Sequence, residues 1–374
     1  MKTAGLFAGI GGLELGLSRA GHRTVLLCEF WEPARAVLSQ RFPDLGVDGD
    51  VRTLAALPPD AGIVSAGFPC TDLSQAGRTA GIHGSQSGLV AHVFRLLDGH
   101  EPAYLVLENV RNMLVLDRGR AMDYVVGELE RRGYRWAYRV VDSRFTGVPQ
   151  RRQRVLLVAS RTHDPRHVLL CDDAGEPEPA HFADDSFGFY WTEGLRGLGW
   201  ARDAIPTLKG GSAIGIPSPP GIWLPAAEPG RRLVTPSIED VEELQGFARG
   251  WTAAANSRGA RWKLVGNAVT VGVATWLGRR LGSPGRYDES EALTLEPGDR
   301  WPTAAWGSAG RRWRSHVSMW PERQPYRHLR DVLDLDRVTP LSRRAAAGFF
   351  ARTQRAKLRF DEDFILDVKR HAGS

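Results

Sequence analysis

Cysteine is scarce in this sequence. Only three cysteines, Cys28, Cys70 and Cys171, occur among the 374 residues, too few and too widely separated to form a disulfide framework. No Cys-x-x-Cys pair and no cluster of histidine and cysteine has the spacing of a zinc site. We therefore expect no structural disulfide and no bound metal, and any cysteine with a special role is expected to act as a thiol.

Long apolar segments are also missing. No uninterrupted apolar run reaches the roughly 20 residues that a membrane-spanning helix needs. The first residues, MKTAGLFAGIGG, lack the long apolar centre and the cleavage site of a signal peptide. With 42% hydrophobic and 25% charged residues, the composition is that of a globular protein large enough for two domains. These features predict a cytoplasmic protein without a membrane partner.

Lysine is rare, whereas arginine is abundant. Only five of the 49 basic residues are lysines, and the formal net charge is +6. This excess indicates a polyanionic partner only weakly. Guanidinium groups suit bidentate contacts with phosphates and guanine edges. A codon bias that favours arginine explains the same composition equally well.

Short apolar runs alternate with segments of helical spacing in the first 160 residues. Continuous or alternating apolar patterns predict strands, and apolar residues three and four apart predict helices. The predicted strands are Thr3–Phe7, Thr24–Phe30, Gly62–Phe68, Ala103–Val110 and Arg154–Ser160. The predicted helices are Leu13–Ala20, Pro33–Arg41, Leu89–Leu97 and Ala121–Arg132. This alternation favours an α/β fold with a parallel sheet.

The later part of the chain is less regular. Between residues 162 and 236, glycine, proline and isolated tryptophans predict a second, irregular domain or a long insertion. A helix with a capping box is predicted from Ser237, because Asp240 follows three residues later. A loop and an amphipathic helix are predicted in Lys263–Leu281, and a further helix in Leu341–Arg355.

A glycine-rich turn follows the first predicted strand in GLFAGIGGLELGL. Gly9 and Gly11 permit a tight turn and a close approach of the backbone to a ligand. The dinucleotide fingerprint fails, because Glu14 stands where its third glycine belongs and a carboxylate is unfavourable beside a pyrophosphate. S-adenosylmethionine has no phosphate, and backbone N–H groups can hold its methionine end. An ordinary strand-to-helix turn is the alternative explanation.

Acidic residues follow the next two strand regions. Glu29, at the tip of the second predicted strand, is placed to accept hydrogen bonds from both ribose hydroxyls of a nucleoside. Asp50, in GDVRTL, is placed to bind an adenine amino group. These two carboxylates make an ordinary turn a less adequate explanation of the glycines.

A thiol and a carboxyl group end neighbouring strands of the predicted sheet. Cys70 follows the third predicted strand, at the sheet edge where open α/β sheets bind ligands, and the polar loop 71–87 after it suits a lid. Glu108 ends the next strand; a buried carboxyl with apolar neighbours has a raised pKa and can donate a proton near neutral pH. A role of Glu108 in a helix cap or a salt bridge is the alternative.

Arginines with period two follow in PQRRQRV. This spacing predicts that Gln150, Arg152 and Arg154 lie on one face of an incoming strand. Arginines on that face would lower the pKa of a nearby thiol and hold a carbonyl oxygen.

Taken together, these residues resemble the DNA (cytosine-5)-methyltransferases. The family's motifs occur in the family's order over roughly residues 1–281: FAGIGG, Glu29, GD at Gly49–Asp50, GFPC, ENV, QRRQR and GNAV at Gly266–Val269. The resemblance implies a Rossmann-like, S-adenosylmethionine-dependent catalytic domain in residues 1–160, completed by 237–282. It also implies a target-recognition domain in 161–236, which leaves 283–374 as an extension of unknown role.

The resemblance also implies roles for individual residues. Cys70 would attack C6 of cytosine, Glu108 would contact N3, and Arg154 would hold O2; Arg152 is the fourth residue expected in the catalytic set. The residues implied in binding S-adenosylmethionine are Phe7, Gly9, Gly11, Glu29, Phe30, Asp50, Val51, Asn267 and Val269. The residues implied in binding DNA are Ser74, Gln150 and the Thr-Leu pair Thr207 and Leu208 of PTLKGG.

The chemistry explains why such a set is needed. C5 of cytosine is too weak a nucleophile to accept a methyl group unaided, so a thiolate adds at C6 and transfers electron density to C5. A base then removes the proton from C5, and the thiolate departs. A stacked base cannot be reached in this way, so the target must be flipped out of the duplex at a cost of a few kcal/mol.

Several alternatives remain open from the sequence. The substrate could be tRNA, as in one branch of the family, although the sizeable variable region favours double-stranded DNA. The chain could be a non-catalytic DNA-binding protein, although the intact Cys70, Glu108 and Arg154 argue against this. The resemblance implies a prokaryotic or phage-encoded enzyme of restriction-modification or phage defence, with a separate cognate endonuclease. The tryptophan-rich segment 301–320 suits a packed cap better than an additional DNA-binding surface.

Overall fold

The computed structural model describes residues 1–69, 88–210 and 217–373. The chain divides into two units, each with a core of its own. The first unit comprises Met1–Phe145, Gln153–Glu176 and Val269–Arg323. The second unit comprises Thr146–Arg152, Pro177–Ala268 and Gln324–Ser374.

The regular elements of the described residues are as follows. The strands are β1 (Lys2–Leu6), β2 (Arg23–Cys28), β3 (Val47–Asp48), β4 (Ala61–Ala66), β5 (Tyr104–Val110), β6 (Arg135–Asp142), β7 (Gln150–Arg151), β8 (Gln153–Ser160), β9 (Phe187–Phe189), β10 (Ala201–Arg202), β11 (Ile205–Pro206), β12 (Gly221–Trp223), β13 (Leu233–Thr235), β14 (Leu293–Thr294), β15 (Ala304–Ser308), β16 (Arg311–Arg314) and β17 (Thr339–Pro340). The α-helices are α1 (Gly12–Arg19), α2 (Glu32–Arg41), α3 (Leu89–Leu97), α4 (Arg120–Arg131), α5 (Arg166–Leu169), α6 (Ile238–Leu244), α7 (Arg258–Asn267), α8 (Val271–Gly282), α9 (Leu329–Val332), α10 (Arg343–Thr353) and α11 (Glu362–Ala372).

The first unit is built around a ten-stranded sheet. Its strand order is β14-β16-β15-β6-β8-β5-β4-β1-β2-β3. The strands from β3 to β5 pair in parallel, whereas β8 pairs antiparallel with both β5 and β6. The expected α/β architecture, with strands and helices in alternation and a parallel set of strands, is present, and antiparallel strands extend the sheet beyond β5. The parallel part places the ends of β1, β2 and β4 at one edge of the sheet.

Apolar periodicity accounts for the elements of this unit. The central strands β4 and β5 are buried along almost their whole length, as expected for strands covered on both faces. Helix α4 buries one apolar stripe, with Met122, Val125, Val126 and Leu129 against the core. Strand β6, RWAYRVVD, was not predicted, because arginines interrupt its apolar pattern.

Part of the C-terminal extension belongs to the same sheet. Strand β15 pairs antiparallel with β6 and then with β16. Trp301 lies edge-on to Trp136, with ring centroids 5.9 Å apart. The rings of Trp306 and Trp313 stack at 4.1 Å. These tryptophans therefore extend a packed structure, which agrees with the cap interpretation of segment 301–320.

The second unit has a small antiparallel sheet with the order β10-β9-β12-β13-β17. Its strands have only two or three residues, which explains why the sequence of this region looks irregular. Helices α10 and α11 cover the sheet through Phe349 and Phe364, whose rings lie 5.3 and 4.9 Å from that of Phe189. Helix α6 begins with the predicted capping box of Ser237 and Asp240.

The two units do not coincide with the predicted domain boundaries. Residues 237–268, predicted to complete the catalytic domain, belong to the second unit. The extension 283–374 divides at Arg323, because its first part joins the large sheet and its last helices cover the small one. A target-recognition role for the second unit remains a prediction.

The described residues contain neither a membrane-spanning helix nor a cluster of metal ligands. None of their helices has both the length and the apolarity to span a membrane. Among the same residues, no group of three or more His, Cys, Asp or Glu side chains is arranged to hold a metal ion.

Candidate active site

The glycine turn and Glu29 form one hydrogen-bonded structure. Phe7, Gly9 and Gly11 have φ values of 54°, 56° and 80°, in the left-handed region that glycine adopts without strain. The N–H of Gly9 donates to Glu29 Oε2 at 2.8 Å, and the N–H of Trp31 donates to Oε1 at 2.8 Å. Burial raises the pKa of Glu29. This carboxylate therefore holds the turn after β1 against the end of β2.

The residues around Glu29 fit a nucleoside cofactor. A carboxylate has about four acceptor sites, and the backbone N–H groups of Gly9, Trp31 and Phe30 approach that of Glu29, so it keeps acceptor capacity for a hydroxyl. The neighbouring Phe30 is 68% exposed, which is unusual for an aromatic ring and suits contact with a planar base. The Cβ position of Gly9 has no atom within 4 Å, so the turn leaves open space beside it. S-adenosylmethionine thus fits these residues.

Asp50 is already engaged by a neighbouring arginine. Arg52 Nε lies 2.9 and 2.8 Å from the two carboxylate oxygens of Asp50, and this contact holds the pKa of Asp50 below its usual range. The guanidinium of Arg52 also lies over the ring of Phe30, 5.4 Å from its centroid. Val51 is buried, and its carbonyl accepts a hydrogen bond from Arg95. A contact between Asp50 and adenine would have to share the carboxylate with Arg52.

Glu14 is a buried acid beneath the glycine turn. Its side chain, in α1, is 1% exposed. Oε1 accepts a hydrogen bond from Ser65 Oγ at 3.4 Å, whereas Oε2 has no hydrogen-bond partner among the described residues. Burial raises the pKa of Glu14 to about 7. The position that breaks the dinucleotide fingerprint thus carries a titratable group buried between α1 and the sheet.

Glu108 and Arg154 form an ion pair on adjacent strands. The antiparallel register pairs Glu108 with Leu156 and Val110 with Arg154, which brings the two side chains together. Arg154 Nε lies 3.0 Å from Glu108 Oε1, and the side chains are 12% and 10% exposed. The prediction that Glu108 has apolar surroundings is therefore wrong, because its carboxylate faces the guanidinium group of Arg154.

The segment that leads to Cys70 passes beside this ion pair. The Cβ position of Gly67 lies 3.4 Å from Glu108 Oε2. The side-chain amide of Asn109 donates to the carbonyl of Phe68 at 3.0 Å. Cys70 itself and Ser74 lie outside the described residues. Asn109 was not predicted as a site residue, although its position directly after Glu108 in ENV could have indicated one.

Arg152 does not continue the strand face that carries Arg154. The predicted single strand is interrupted at Arg152, because β7 ends at Arg151 and β8 begins at Gln153. The guanidinium of Arg152 is 1% exposed and donates to the carbonyls of Leu208, Gly266 and Ala268 at 3.4, 3.1 and 2.6 Å. The prediction of one shared face is wrong at this residue, and its contacts favour a positioning role within the second unit.

Gln150 is also interior. It is fully buried, and its amide nitrogen donates to the carbonyl of Leu244 and to Gln245 Oε1, both at 3.0 Å. Its amide oxygen accepts from the N–H of Leu208 at 3.4 Å. Burial disfavours a direct DNA contact by Gln150, which remains a prediction. Gln245 had no role in the sequence interpretation, yet it also donates to the carbonyl of Val265 at 3.0 Å.

Three sequence motifs meet around these side chains. In PTLKGG, Thr207 Oγ1 donates to the carbonyl of Arg151 at 2.9 Å, and Leu208 is buried. In GNAV, a Cβ at Gly266 would lie 2.7 Å from the carbonyl carbon of Lys209, so only glycine fits there. The exposed Asn267 ends α7. The second unit thus joins QRRQR, PTLKGG and GNAV by backbone contacts.

Val269 lies in the first unit, beside the glycine turn. It is buried and forms a small apolar cluster with Leu13 of α1 and Ala274 of α8. The backbone of α8 approaches α1 closely, because a Cβ at Gly16 would lie 2.7 Å from the carbonyl oxygen of Val271. Helix α8, which follows GNAV, therefore packs against α1 in the first unit.

The chain is similar to known methyltransferases in sequence and in fold. The family model for C-5 cytosine-specific DNA methylases matches residues 1–181. Type II methyltransferase M2.BsuMI of Bacillus subtilis is 43% identical over 99% of this chain and 98% of its own length. Type II methyltransferase M.NlaX of Neisseria lactamica is 36% identical over 44% of this chain and 53% of its own length.

Two solved structures resemble the fold. S. pombe Dnmt2 methyltransferase has a TM-score of 0.56 at 15% identity, over 75% of this chain and 98% of its own. A putative DNA modification methyltransferase encoded within an E. coli prophage has a TM-score of 0.50 at 17% identity, over 76% of this chain and 99% of its own. At such identities the likeness concerns the fold alone. The near full-length match at 43% identity decides the family: the chain belongs to the C-5 cytosine-specific DNA methylases and is a DNA (cytosine-5)-methyltransferase with an α/β S-adenosylmethionine-dependent methyltransferase fold.

Proposed function

We propose that this enzyme methylates C5 of a flipped-out cytosine in duplex DNA through a covalent adduct with Cys70. The observation that carries the proposal is the buried ion pair of Glu108 and Arg154, which lies beside Gly67 in the segment that leads to Cys70. A thiol, a carboxyl group and a guanidinium group are the three groups that addition to C6 of cytosine requires.

The ion pair prepares the two polar groups for this reaction. Glu108, in its protonated form, would donate a proton or a hydrogen bond to N3, which withdraws electron density from C6 as the sulfur–carbon bond forms, and it would take the proton back when the adduct collapses. Arg154 is placed to donate hydrogen bonds to O2, where negative charge accumulates. Because the 3.0 Å contact already holds both side chains, little reorganisation is needed when the base arrives.

The electron and proton balance closes within this scheme. The Cys70 thiolate would form a bond to C6, and the electron pair that reaches C5 would form the new bond to the methyl carbon, whose bond to the donor sulfur breaks and leaves its electron pair on that sulfur. A base then removes the proton from C5, and the bond between sulfur and C6 breaks. The products are 5-methylcytosine in DNA, S-adenosylhomocysteine, a proton and the regenerated Cys70 thiolate.

The cofactor residues are proposed from the glycine turn. S-adenosylmethionine, when bound, supplies the methyl group on its sulfonium. Glu29 would accept from the ribose hydroxyls, and Phe30 would contact the adenine ring. The remaining residues proposed to line this site are Phe7, Gly9, Gly11, Asp50, Val51, Asn267 and Val269.

DNA is proposed as the substrate in a restriction-modification system. The relatives' designation as type II methyltransferases supports this setting, and it implies a cognate endonuclease that acts separately. Thr207, Leu208 and Ser74 are proposed to support the flipped base and the flanking DNA, directly or through the backbone. Transfer of labelled methyl groups to plasmid DNA, with tRNA in parallel, decides the substrate class.

The nucleophile is tested with Cys70→Ala. We expect methyl transfer to plasmid DNA to be lost while DNA binding in a gel-shift assay is largely kept, because the substitution removes only the attacking sulfur. DNA that carries 5-fluorocytosine at the methylated position should trap wild-type protein, since fluorine cannot leave C5 as a proton does. Methylation of C5 by Cys70→Ala would rule out the covalent mechanism.

A further inference from the structure

We propose that a cationic pocket in the second unit binds phosphate groups of the DNA backbone. The pocket is a cavity of about 730 Å³ whose lining includes Arg232, Arg343, Arg370, Ser342 and Asp367. The inference rests on the proposed function, because its ligand is the DNA on which the enzyme acts.

The fold of the second unit brings these residues to one place. Strand β17 pairs with β13, and the N–H of Leu341 donates to the carbonyl of Leu233 at 2.9 Å. Helix α10 begins directly afterwards. The C-terminal end of α11 returns to the same point, where a ring nitrogen of His371 is hydrogen-bonded to the carbonyl of Leu341. Arginines that are far apart in the sequence therefore surround one cavity.

One buried carboxylate belongs to the pocket and accounts for part of its charge. Asp367 is 7% exposed and accepts from Trp223 Nε1 at 3.0 Å. Its Oδ1 lies 2.9 Å from Arg232 Nη1 and 3.8 Å from Arg370 Nη1. One negative charge thus stands against three guanidinium groups. Asp367 fixes Arg232, and a net positive charge remains.

The other cations of this region are not neutralised. Arg343 and Arg344 are exposed at the start of α10, and Lys369 is exposed near the end of α11. Within the part of the chain that the structure describes, no carboxylate lies within 4 Å of a charged nitrogen of these three residues. The segment 341–360 contains six basic residues and no acidic one.

The acidic residues of α11 lie at its opposite end. Asp361, Glu362 and Asp363 mark the start of the helix, where Asp361 Oδ1 accepts from the N–H of Phe364. An 11-residue helix separates them from the pocket by about 15 Å. At physiological salt, charges that far apart at the surface are largely screened from one another, so the pocket keeps its positive potential.

Phosphate is the ligand class that this chemistry favours. Guanidinium groups bind phosphate oxygens in a bidentate manner. The exposed Arg344 and Lys369 extend the positive charge beyond the cavity, as suits a chain of phosphates better than a single enclosed anion. Contacts with phosphates position a protein on DNA without reading its sequence, so this surface would add affinity and not specificity.

The test compares two variants of Arg343 with a matched control. Arg343→Gln and Arg343→Glu remove or reverse one exposed charge of the pocket. Arg337→Glu makes the same change of charge in the same unit, at a residue that is 63% exposed and has Asp334 as a partner at 3.5 Å. Circular dichroism and thermal melting establish that each variant is folded.

The readout is the affinity for double-stranded DNA, measured by fluorescence anisotropy over a range of salt concentrations. We expect Arg343→Gln to lower the slope of log K against log salt by about one, with several-fold weaker binding at low salt. Arg343→Glu should weaken binding further, and Arg337→Glu should behave like wild type. Wild-type affinity and slope in both Arg343 variants would overturn the inference.

Two further measurements separate the possible causes of a negative result. If inorganic phosphate raises the melting temperature of wild type but not of Arg343→Gln, while both bind DNA equally, the pocket takes free phosphate and the DNA inference fails. Methylation of plasmid DNA by wild type is measured in parallel. Its absence would contradict the proposed function, whatever the binding data show.

Discussion

Substitution of Glu29 by alanine tests the cofactor site most directly. The carboxylate holds the turn through two backbone N–H donors at 2.8 Å and keeps acceptor capacity for ribose hydroxyls. Two ribose hydroxyls bound there would each contribute about 1.5 kcal/mol, the lower value for hydrogen bonds to a charged group. Their loss, about 3 kcal/mol, corresponds to roughly 100-fold weaker cofactor binding.

Isothermal titration with S-adenosylhomocysteine measures this loss without turnover. The turnover number at saturating cofactor should fall much less than the affinity, because Glu29 does not touch the reacting atoms. Glu32→Ala serves as the control, since Glu32 is an exposed acid of the same type three residues away. It should bind the cofactor like wild type.

The same substitution also leaves the N–H groups of Gly9 and Trp31 without their acceptor. We therefore expect a measurable loss of stability in urea unfolding, on the order of 2 kcal/mol. Glu29→Gln, which keeps the side-chain volume and one acceptor, should be folded even if the alanine variant is not. Cofactor affinity within threefold of wild type in a folded Glu29 variant would refute the assigned role.

Two further predictions concern stability. Burial raises the pKa of Glu14 to about 7, so between about pH 4.5 and 7 the folded state binds more protons than the unfolded state. The free energy of unfolding should therefore fall by about 3 kcal/mol as the pH rises through this range. Urea unfolding of Glu14→Gln should lack this decrease; an unchanged profile would exclude Glu14 as its source. Gly16→Ala should destabilise the protein by about 1–3 kcal/mol, despite the better helix propensity of alanine, because its Cβ would lie 2.7 Å from the carbonyl oxygen of Val271 and 2.8 Å from the N–H nitrogen of Thr275. Equal or greater stability in urea would show that α1 and α8 can separate at little cost.

Local patterns were sufficient for the elements of the first 130 residues. Strands β1, β2, β4 and β5 and the helices α1 to α4 follow from apolar spacing, because each buries a continuous face or stripe, whereas the two-residue strand β3 was not predicted. Strand β6 was missed for a definable reason. Its Arg139 is fully buried and donates to the carbonyls of Leu169, Asp172 and Ser318. Sequence spacing cannot indicate such distant acceptors.

Period-two spacing failed where the chain changes sheets. Gln150 and Arg152 were expected beside Arg154, but β7 pairs with β11 in a two-stranded sheet and β8 pairs within the large one. The break at Arg152 lets its guanidinium bind three backbone carbonyls. Such a break is set by the pairing partners of each strand, which a single segment does not specify.

The sequence alone determined the family motifs, the glycine turn with Glu29 after β2, and the strand that carries Glu108, since these depend on residue type and short-range spacing. Only the tertiary structure decided that Glu108 faces Arg154, that β15 extends the large sheet, and that Arg232, Arg343 and Arg370 surround one cavity. The physical reason is that ion pairs, sheet edges and cavities form between segments distant in the chain, where the choice among many compatible partners depends on how the whole chain packs.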